Sequence, residues 1–355
     1  MIKLNFPSYY TKNRMKCWGD ISEKKWLNYR WQLVNSIATT SEIRKLLPGY
    51  FMKNLRDPEL SHHFSITPYF FCLINPDNPD DPVAKQVIPS DEEFAGSSVL
   101  CEDPFSEKRN SPVKGMIRRY SDRAVLLSTA RCATYCRYCT RKWNWKSGAD
   151  FNKSDFMKIM EYLKAEPEIR EIILSGGEPF MLSDENIELM LKSLFAVKSV
   201  ETVRIGTRIL SFLPQRINPA LLKILAGYRP VWILTHFNHP AEITPLTIRA
   251  IDRLIGSGVV ILNQTVFLKG VNDDAAVLQS LFCSLQNLRI KPYYLFQCDP
   301  VQGTGHFTVP LEKGIAIMDE LKKALGGVAL PNFVVDTCDA GKVGAMDLFR
   351  KQKGL

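Results

Sequence analysis

Beyond residue 115 the apolar residues fall into a repeating rhythm: a short run of strand character, then a longer stretch in which apolar positions recur at helical spacing. The runs cover 124–128, 171–175, 202–206, 231–235, 259–263 and 292–297. After the first, Phe156, Ile159, Met160 and Leu163 share one helical face; after the second, Ile187, Met190, Leu191 and Leu194 do; after the fourth, Ile248, Ile251, Leu254 and Ile255 do. The fourth helix is also punctuated, with Thr244 placed to cap it, Pro245 at its first position and Gly256 to end it. Six β-then-α units at roughly 30-residue intervals, the length of one βαβ step, predict an α/β fold with a parallel sheet and helices outside it. Polar residues repeatedly follow the strands: Cys132, Ser175-Gly-Gly-Glu, Thr207-Arg208, Thr235-His-Phe-Asn-His and Asp299. Because the C-terminal strand ends of a barrel carry its active site, this placement favours a barrel or partial barrel over a doubly wound open sheet.

The N-terminal third has a different texture. Trp26, Tyr29, Leu33 and Ile37 recur at helical spacing among Lys and Arg, predicting one amphipathic helix over 22–37. A second helical piece over 41–47 stops at Pro48-Gly49. Between 67 and 115 prolines and acidic residues crowd together, with Pro76, Pro79 and Pro82 close in sequence, so this segment is expected to be irregular and to wrap or link. The textures divide the chain into an N-terminal helical and wrapping region, 1–115, a barrel region, 116–310, and a C-terminal segment, 311–355.

Composition narrows the class. The 355 residues are 45% hydrophobic and 23% charged, the profile of a soluble globular protein. No apolar run nears the roughly 20 residues that a bilayer span needs, and residues 1–16 lack a signal-type apolar core. The expected location is the cytoplasm, with no membrane partner. Nine cysteines, clustered once and otherwise scattered, do not resemble a disulfide framework and ask for a reducing compartment. The net charge of +9 would suit nucleic acid, an acidic protein or anionic small molecules, but Lys and Arg are spread along the chain without a basic tail. No nucleic-acid partner is expected.

The strongest chemical signal is Cys132-Ala-Thr-Tyr-Cys136-Arg-Tyr-Cys139, directly after the first strand. Structural zinc normally takes two separated pairs of ligands, and no second Cys-x-x-Cys is present; the pairs His62 with His63 and His236 with His239 sit in unrelated segments. Three thiolates in one compact loop suit an iron-sulfur cluster with one iron left open, and an open position marks a catalytic centre. Gly176 and Gly177 would let backbone approach a ligand closely, and Glu178 would receive an ammonium group.

The Cys-x-x-x-Cys-x-x-Cys loop followed by Ser175-Gly-Gly-Glu178 resembles the radical S-adenosylmethionine enzymes. Arg204-Ile-Gly-Thr-Arg, Leu213-Pro-Gln-Arg-Ile, Thr235-His-Phe-Asn-His-Pro, Asn263-Gln and Gly270-Val-Asn-Asp, in that order, resemble the lysine 2,3-aminomutase family over nearly the whole chain. The resemblance implies a partial (β/α)6 radical SAM barrel with an N-terminal helical extension, and a C-terminal segment that completes the cofactor and substrate pocket. It also implies a 4Fe-4S cluster, S-adenosyl-L-methionine, pyridoxal 5′-phosphate and a one-electron reductant.

Residue by residue, the resemblance assigns the cluster to Cys132, Cys136 and Cys139, and S-adenosylmethionine to Gly176, Gly177, Glu178, His236 and Gln264. Lys342 is the matching Schiff-base lysine, in a run one residue shorter and poorer in glycine than the family's. Arg119, Tyr120 and Arg123 match the phosphate-binding group, where forked Arg donors and a hydroxyl suit an anion. Arg141 matches the residue that pairs with the substrate carboxylate, and Asp299 and Asp336 match the two acids that hold the distal ammonium of lysine. Two acids at one pocket end favour a cationic tail, which argues against glutamate without separating lysine from ornithine or arginine. Phe296 stands where the family has Tyr, and Tyr138 where it has His. Asp274 replaces the family's zinc cysteine and no Cys-rich tail follows, so no zinc is expected and a homo-oligomer is left open. The implied activity is an isomerase moving the α-amino group of a small-molecule amino acid to C3, with L-lysine to β-lysine foremost. Arginine 2,3-aminomutase, lysine chemistry serving translation-factor modification, and RNA modification by a radical S-adenosylmethionine enzyme are the rivals.

Overall fold

The computed structural model describes residues 5–47, 64–94, 100–145 and 150–354. Pro48-Gly49 and the pair His62-His63 lie outside these described residues. Among the described residues one sheet of nine strands organises the fold, in the order β1 (Met116–Ile117), β2 (Arg123–Thr129), β3 (Glu171–Gly176), β4 (Thr202–Gly206), β5 (Val231–Thr235), β6 (Val260–Phe267), β7 (Lys291–Gln297), β8 (Asn332–Thr337) and β9 (Gly341–Gly344). Strands β2 to β8 are parallel, and β1 and β9 pair antiparallel at the two edges. The six expected β-then-α units are present in an unclosed sheet, a partial barrel. The seventh parallel strand, β8, was not expected. Its run Asn-Phe-Val-Val-Asp-Thr is short and lies beyond the last complete unit, so no helical stretch of the same rhythm marks it.

Alternation along the strands sorts the core from the site. Ile172, Leu174, Val203, Ile205, Ile233 and Ile261 pack with the helices in the main hydrophobic core. Opposite them, on the helix Lys153–Ala165, lie Phe156, Ile159, Met160 and Leu163, and on Asp184–Phe195 lie Ile187, Met190, Leu191 and Leu194, all buried as their spacing predicted. Full burial of each such side chain stabilises the fold by about 1.5–3 kcal/mol. On Pro245–Gly256 the side chain of Thr244 accepts from the Thr247 amide and Pro245 takes the first turn. Gly256 remains helical, and the left-handed residue is Gly258, at φ 82°. The glycine that permits the turn thus sits two residues later than expected.

The predicted helix over 22–37 is two short ones, Glu23–Trp26 and Tyr29–Val34. Asn28 interrupts them by capping the second, its side chain accepting from the amides of Arg30 and Trp31. Gln32 fixes the break by donating to the Trp26 carbonyl and accepting from the Tyr69 amide. The next helix, Thr40–Leu46, starts from a Thr39–Glu42 capping box. Residues 67–94 hold short helical turns in place of long elements and tie the extension to the barrel. Thr67 Oγ1 donates to the Phe212 carbonyl at 2.6 Å, and the hydroxyls of Tyr69 and Thr244 lie 2.6 Å apart.

Candidate active site

The second set of strand positions, among them Ile173, Ser175, Arg204, Gly206, Gln264 and Phe296, lines a cavity of about 740 Å3. Arg119, Tyr120, Arg123, Cys136, Cys139, Arg141, His236, Gln264, Asp299, Asp336 and Lys342 also line it, so most of the predicted site residues meet in one space. Cys132, Gly176, Gly177 and Glu178 are not part of that lining.

The cysteine loop leaves β2 and is braced from behind. Arg137 donates through Nε and Nη2 to Glu93 at 2.7 and 2.6 Å, and Lys142 Nζ reaches the same carboxylate at 3.3 Å, all three side chains being buried. On the other side Arg208 Nη1 donates to Cys136 Sγ at 3.0 Å while its Nη2 pairs with the buried Glu242 at 2.9 Å. Burial pushes Glu242 up, but Arg208, Ser211 and Gln86 outweigh it and hold the carboxylate below its ordinary range.

Burial, followed by the charge of the neighbouring cysteines, pushes the thiols of Cys132 and Cys139 up, that of Cys139 to about 11. Buried thiols such as those of Cys132 and Cys139 ionise readily only with a cation beside them, which an iron-sulfur cluster supplies. Among the described residues no His, Cys, Asp or Glu trio converges as a single metal ion would require. A cluster does not ask for that convergence, because each thiolate binds a different iron.

Behind the loop, Gly176 sits at φ 114°, and a Cβ on Gly177 would come within 2.3 Å of the Arg131 carbonyl oxygen. The space these glycines leave is filled by the chain's own backbone. Glu178 donates its amide to Arg131 O at 2.8 Å, which clamps β3 to the start of the cysteine loop. Its carboxylate accepts from Thr207 Oγ1, the Arg208 amide and the Phe180 amide, and burial lifts it to about 7 against those donors. His236 is neutral: burial, then the charge of Arg208, lowers it to about 3, and Nε2 lies 3.1 Å from Asn238 Oδ1. Tyr138 adds to this wall, its hydroxyl accepting from Asn238 Nδ2 at 2.7 Å.

The β8–β9 hairpin delivers the opposite wall. Its register sets Asp336 directly across from Lys342, and the ammonium lies 3.9 Å from Asp336 Oδ2. The same ammonium stands 5.9 Å from the Tyr120 ring centre and 5.8 Å from that of Phe296. Arg123 stacks on Tyr120 at 3.7 Å, and Arg119 Nη2 donates to Asp336 Oδ1 at 3.2 Å. Among the described residues the Tyr120 hydroxyl is buried without a hydrogen-bond partner. An unfilled hydroxyl on a ring stacked by one guanidinium, with a second guanidinium lining the same cavity and an amine nearby, fits the phosphate and aldehyde ends of pyridoxal phosphate. Gly341, at φ 66°, is required here because a Cβ would fall 2.2 Å from that hydroxyl.

Asp299, after β7, shares this end of the cavity. Burial, then the charge of Asp336, pushes its carboxyl up to about 8. Arg141 is engaged by a residue that spacing and motif did not single out: Glu107 accepts from Nε at 2.9 Å and from Nη2 at 2.7 Å, and Ser175 Oγ accepts from Nη1 at 3.0 Å. Glu107 lies in the irregular segment before the barrel, where no periodicity marks it. Asp274, at the position considered for zinc, caps the helix Ala275–Asn287 by accepting from the Val277 amide.

The radical SAM superfamily model matches residues 126–279, the stretch from the first parallel strand through the cysteine loop to the helix after β6. The L-lysine 2,3-aminomutase of Clostridium subterminale is 40% identical over 338 residues, 92% of this chain and 80% of that protein. A putative L-lysine 2,3-aminomutase of Aquifex aeolicus is 41% identical, covering 94% and 92%. A glutamate 2,3-aminomutase of Clostridioides difficile is 35% identical, covering 90% and 76%. Among solved structures, Streptococcus suis SuiB bound to S-adenosylmethionine aligns with 65% of this chain and 53% of its own, at TM-score 0.47 and 14% identity. With relatives of this identity matched along nearly its whole length, the chain belongs to the lysine 2,3-aminomutase family of radical S-adenosylmethionine enzymes.

Proposed function

We propose that the protein is an amino acid 2,3-aminomutase that acts on a cationic amino acid, with L-lysine to β-lysine as its reaction. The observation that carries the substrate is the pair Asp299 and Asp336 at one end of the cavity, with Asp299 raised to about 8 by burial and by its neighbour. Such a pair gains when a cation arrives and repels a side-chain carboxylate, so lysine is favoured and glutamate rejected. An arginine side chain could bridge the same two acids.

In this reading Cys132, Cys136 and Cys139 hold the 4Fe-4S cluster, His236 and Gln264 line the S-adenosylmethionine space, and Gly176, Gly177 and Glu178 back it from behind the cysteine loop. When bound, the cluster and S-adenosylmethionine supply the carbon radical that removes and returns hydrogen, and pyridoxal phosphate supplies the seat for the migrating nitrogen. Arg119, Tyr120 and Arg123 hold the phosphate, Lys342 offers the amine, and Arg141 takes the substrate carboxylate. The chain's own work is to fix these groups at one distance and to keep water out. In the same reading 1–115 is the wrapping region from which Glu93 braces the cysteine loop, 116–310 carries the six β-then-α units of the barrel, and 311–355 adds β8, β9 and Lys342 to the pocket. A one-electron reductant completes the system, and the free thiols support a reducing location such as the cytoplasm. Among the described residues no helix is long and apolar enough to cross a membrane.

The test is anaerobic reconstitution followed by L-lysine, L-arginine and L-glutamate offered separately with S-adenosylmethionine and reductant. A β-amino product from lysine is expected. Product from glutamate alone, or from none of the three, would overturn the proposal.

A further inference from the structure

A guanidinium has five N–H donors, and in Arg141 three are already in use. Glu107 takes Nε–H and one N–H of Nη2, a side-on two-point contact, and Ser175 takes one N–H of Nη1. Among the described residues two donors remain without an acceptor, one on each Nη, the number that a bidentate carboxylate accepts. Glu107 is well placed to be permanent: its side chain is only 7% exposed, and its turn is fixed by Asp103, which accepts from the amides of Glu107 and Lys108 at 2.9 and 3.0 Å. Two residues earlier Phe105 is buried and lies under the Arg119 guanidinium at 4.9 Å. Arg141 is therefore held from three parts of the chain: the cysteine loop that carries it, the wrapping segment, and the end of β3.

We infer that Glu107 is a positioning residue, which locks Arg141 side-on so that its two remaining donors are presented to the α-carboxylate of the substrate. The inference rests on the aminomutase reading of the cavity. It differs from a competitor role, in which Glu107 would fill the fork until substrate displaced it. The two roles have opposite consequences. A positioning residue strengthens carboxylate binding, and a competitor weakens it.

The test uses the reconstituted enzyme without S-adenosylmethionine, so that nothing turns over, and follows the absorbance of bound pyridoxal phosphate on titration. L-lysine and 1,5-diaminopentane, which lacks the carboxylate, are compared in wild type and Glu107→Ala. The expected result is lysine binding weakened by about tenfold or more, equivalent to about 1.4 kcal/mol, with 1,5-diaminopentane binding and pyridoxal phosphate content unchanged. Tighter lysine binding in the variant, or equal weakening of both ligands, would overturn the inference while leaving the aminomutase reading intact. A wild type that responds to neither ligand would overturn both. If the alanine variant does not fold, Glu107→Gln, which keeps the volume and loses the charge, is titrated with the same pair and judged by the same outcomes.

Discussion

Asp299 links substrate choice to pH. In the substrate-free cavity burial, then the charge of Asp336, lifts its carboxyl to about 8; Glu107 acts in the same direction, while Lys342 and Arg119 oppose it. At pH 7 the group is then roughly 90% protonated. A cationic tail is held by the ionised form, so each pH unit below the midpoint costs about 1.4 kcal/mol, a factor of about ten in affinity. The perturbation is Asp299→Asn, which removes the proton and the charge together. The assay is the ratio of affinities for L-lysine and L-norleucine, which lacks only the distal ammonium, so the pH dependence of the α-amino group cancels. In wild type the ratio should rise about tenfold between pH 6 and pH 7 and level off above about 8; in Asp299→Asn it should be low and flat. Folding should show the matching sign. A carboxyl whose folded value is raised contributes stability at low pH that is lost as pH rises through about 8, and the asparagine variant should lack that loss. A wild-type ratio that does not change from pH 6 to pH 8 refutes the reasoning.

Two further perturbations test how the cofactor loop is held. Glu93→Gln takes away the buried charge shared by Arg137 and Lys142, and should destabilise the fold by about 3–5 kcal/mol in urea unfolding; an unchanged midpoint would show that the brace is idle. Gly177→Ala drives a Cβ to 2.3 Å from the Arg131 carbonyl oxygen, so it should displace the start of the cysteine loop and lose most of the reconstituted iron. Full iron content in that variant would count against the clamp.

The barrel was legible because its period is local. Strands such as 202–206 and 231–235 and the helical faces that follow them are written in apolar spacing, and the strand-end polar groups locate the site before any fold is seen. What could not be read was long-range. Trp26, Tyr29 and Leu33 keep helical spacing across a break that Asn28 and Gln32 impose through contacts as distant as Tyr69. Glu107 and Glu93 lie in an acidic, proline-rich stretch whose residues have no period, and only packing brings them onto Arg141 and Arg137. The glycines before Glu178 suggested close approach to a ligand; in the fold the neighbour is backbone. The Asp336–Lys342 pairing depends on a hairpin register that the shortened run conceals.

The most direct measurement follows a hydrogen atom across the cavity. The reconstituted enzyme is supplied with L-lysine deuterated at C3, unlabelled S-adenosylmethionine and reductant, and the 5′-deoxyadenosine formed is examined by mass spectrometry. If the cysteine loop and the Lys342 hairpin serve one cavity, deuterium enters 5′-deoxyadenosine, and Lys342→Ala abolishes the transfer. Undeuterated 5′-deoxyadenosine, formed at the same rate with or without lysine, would contradict a shared site.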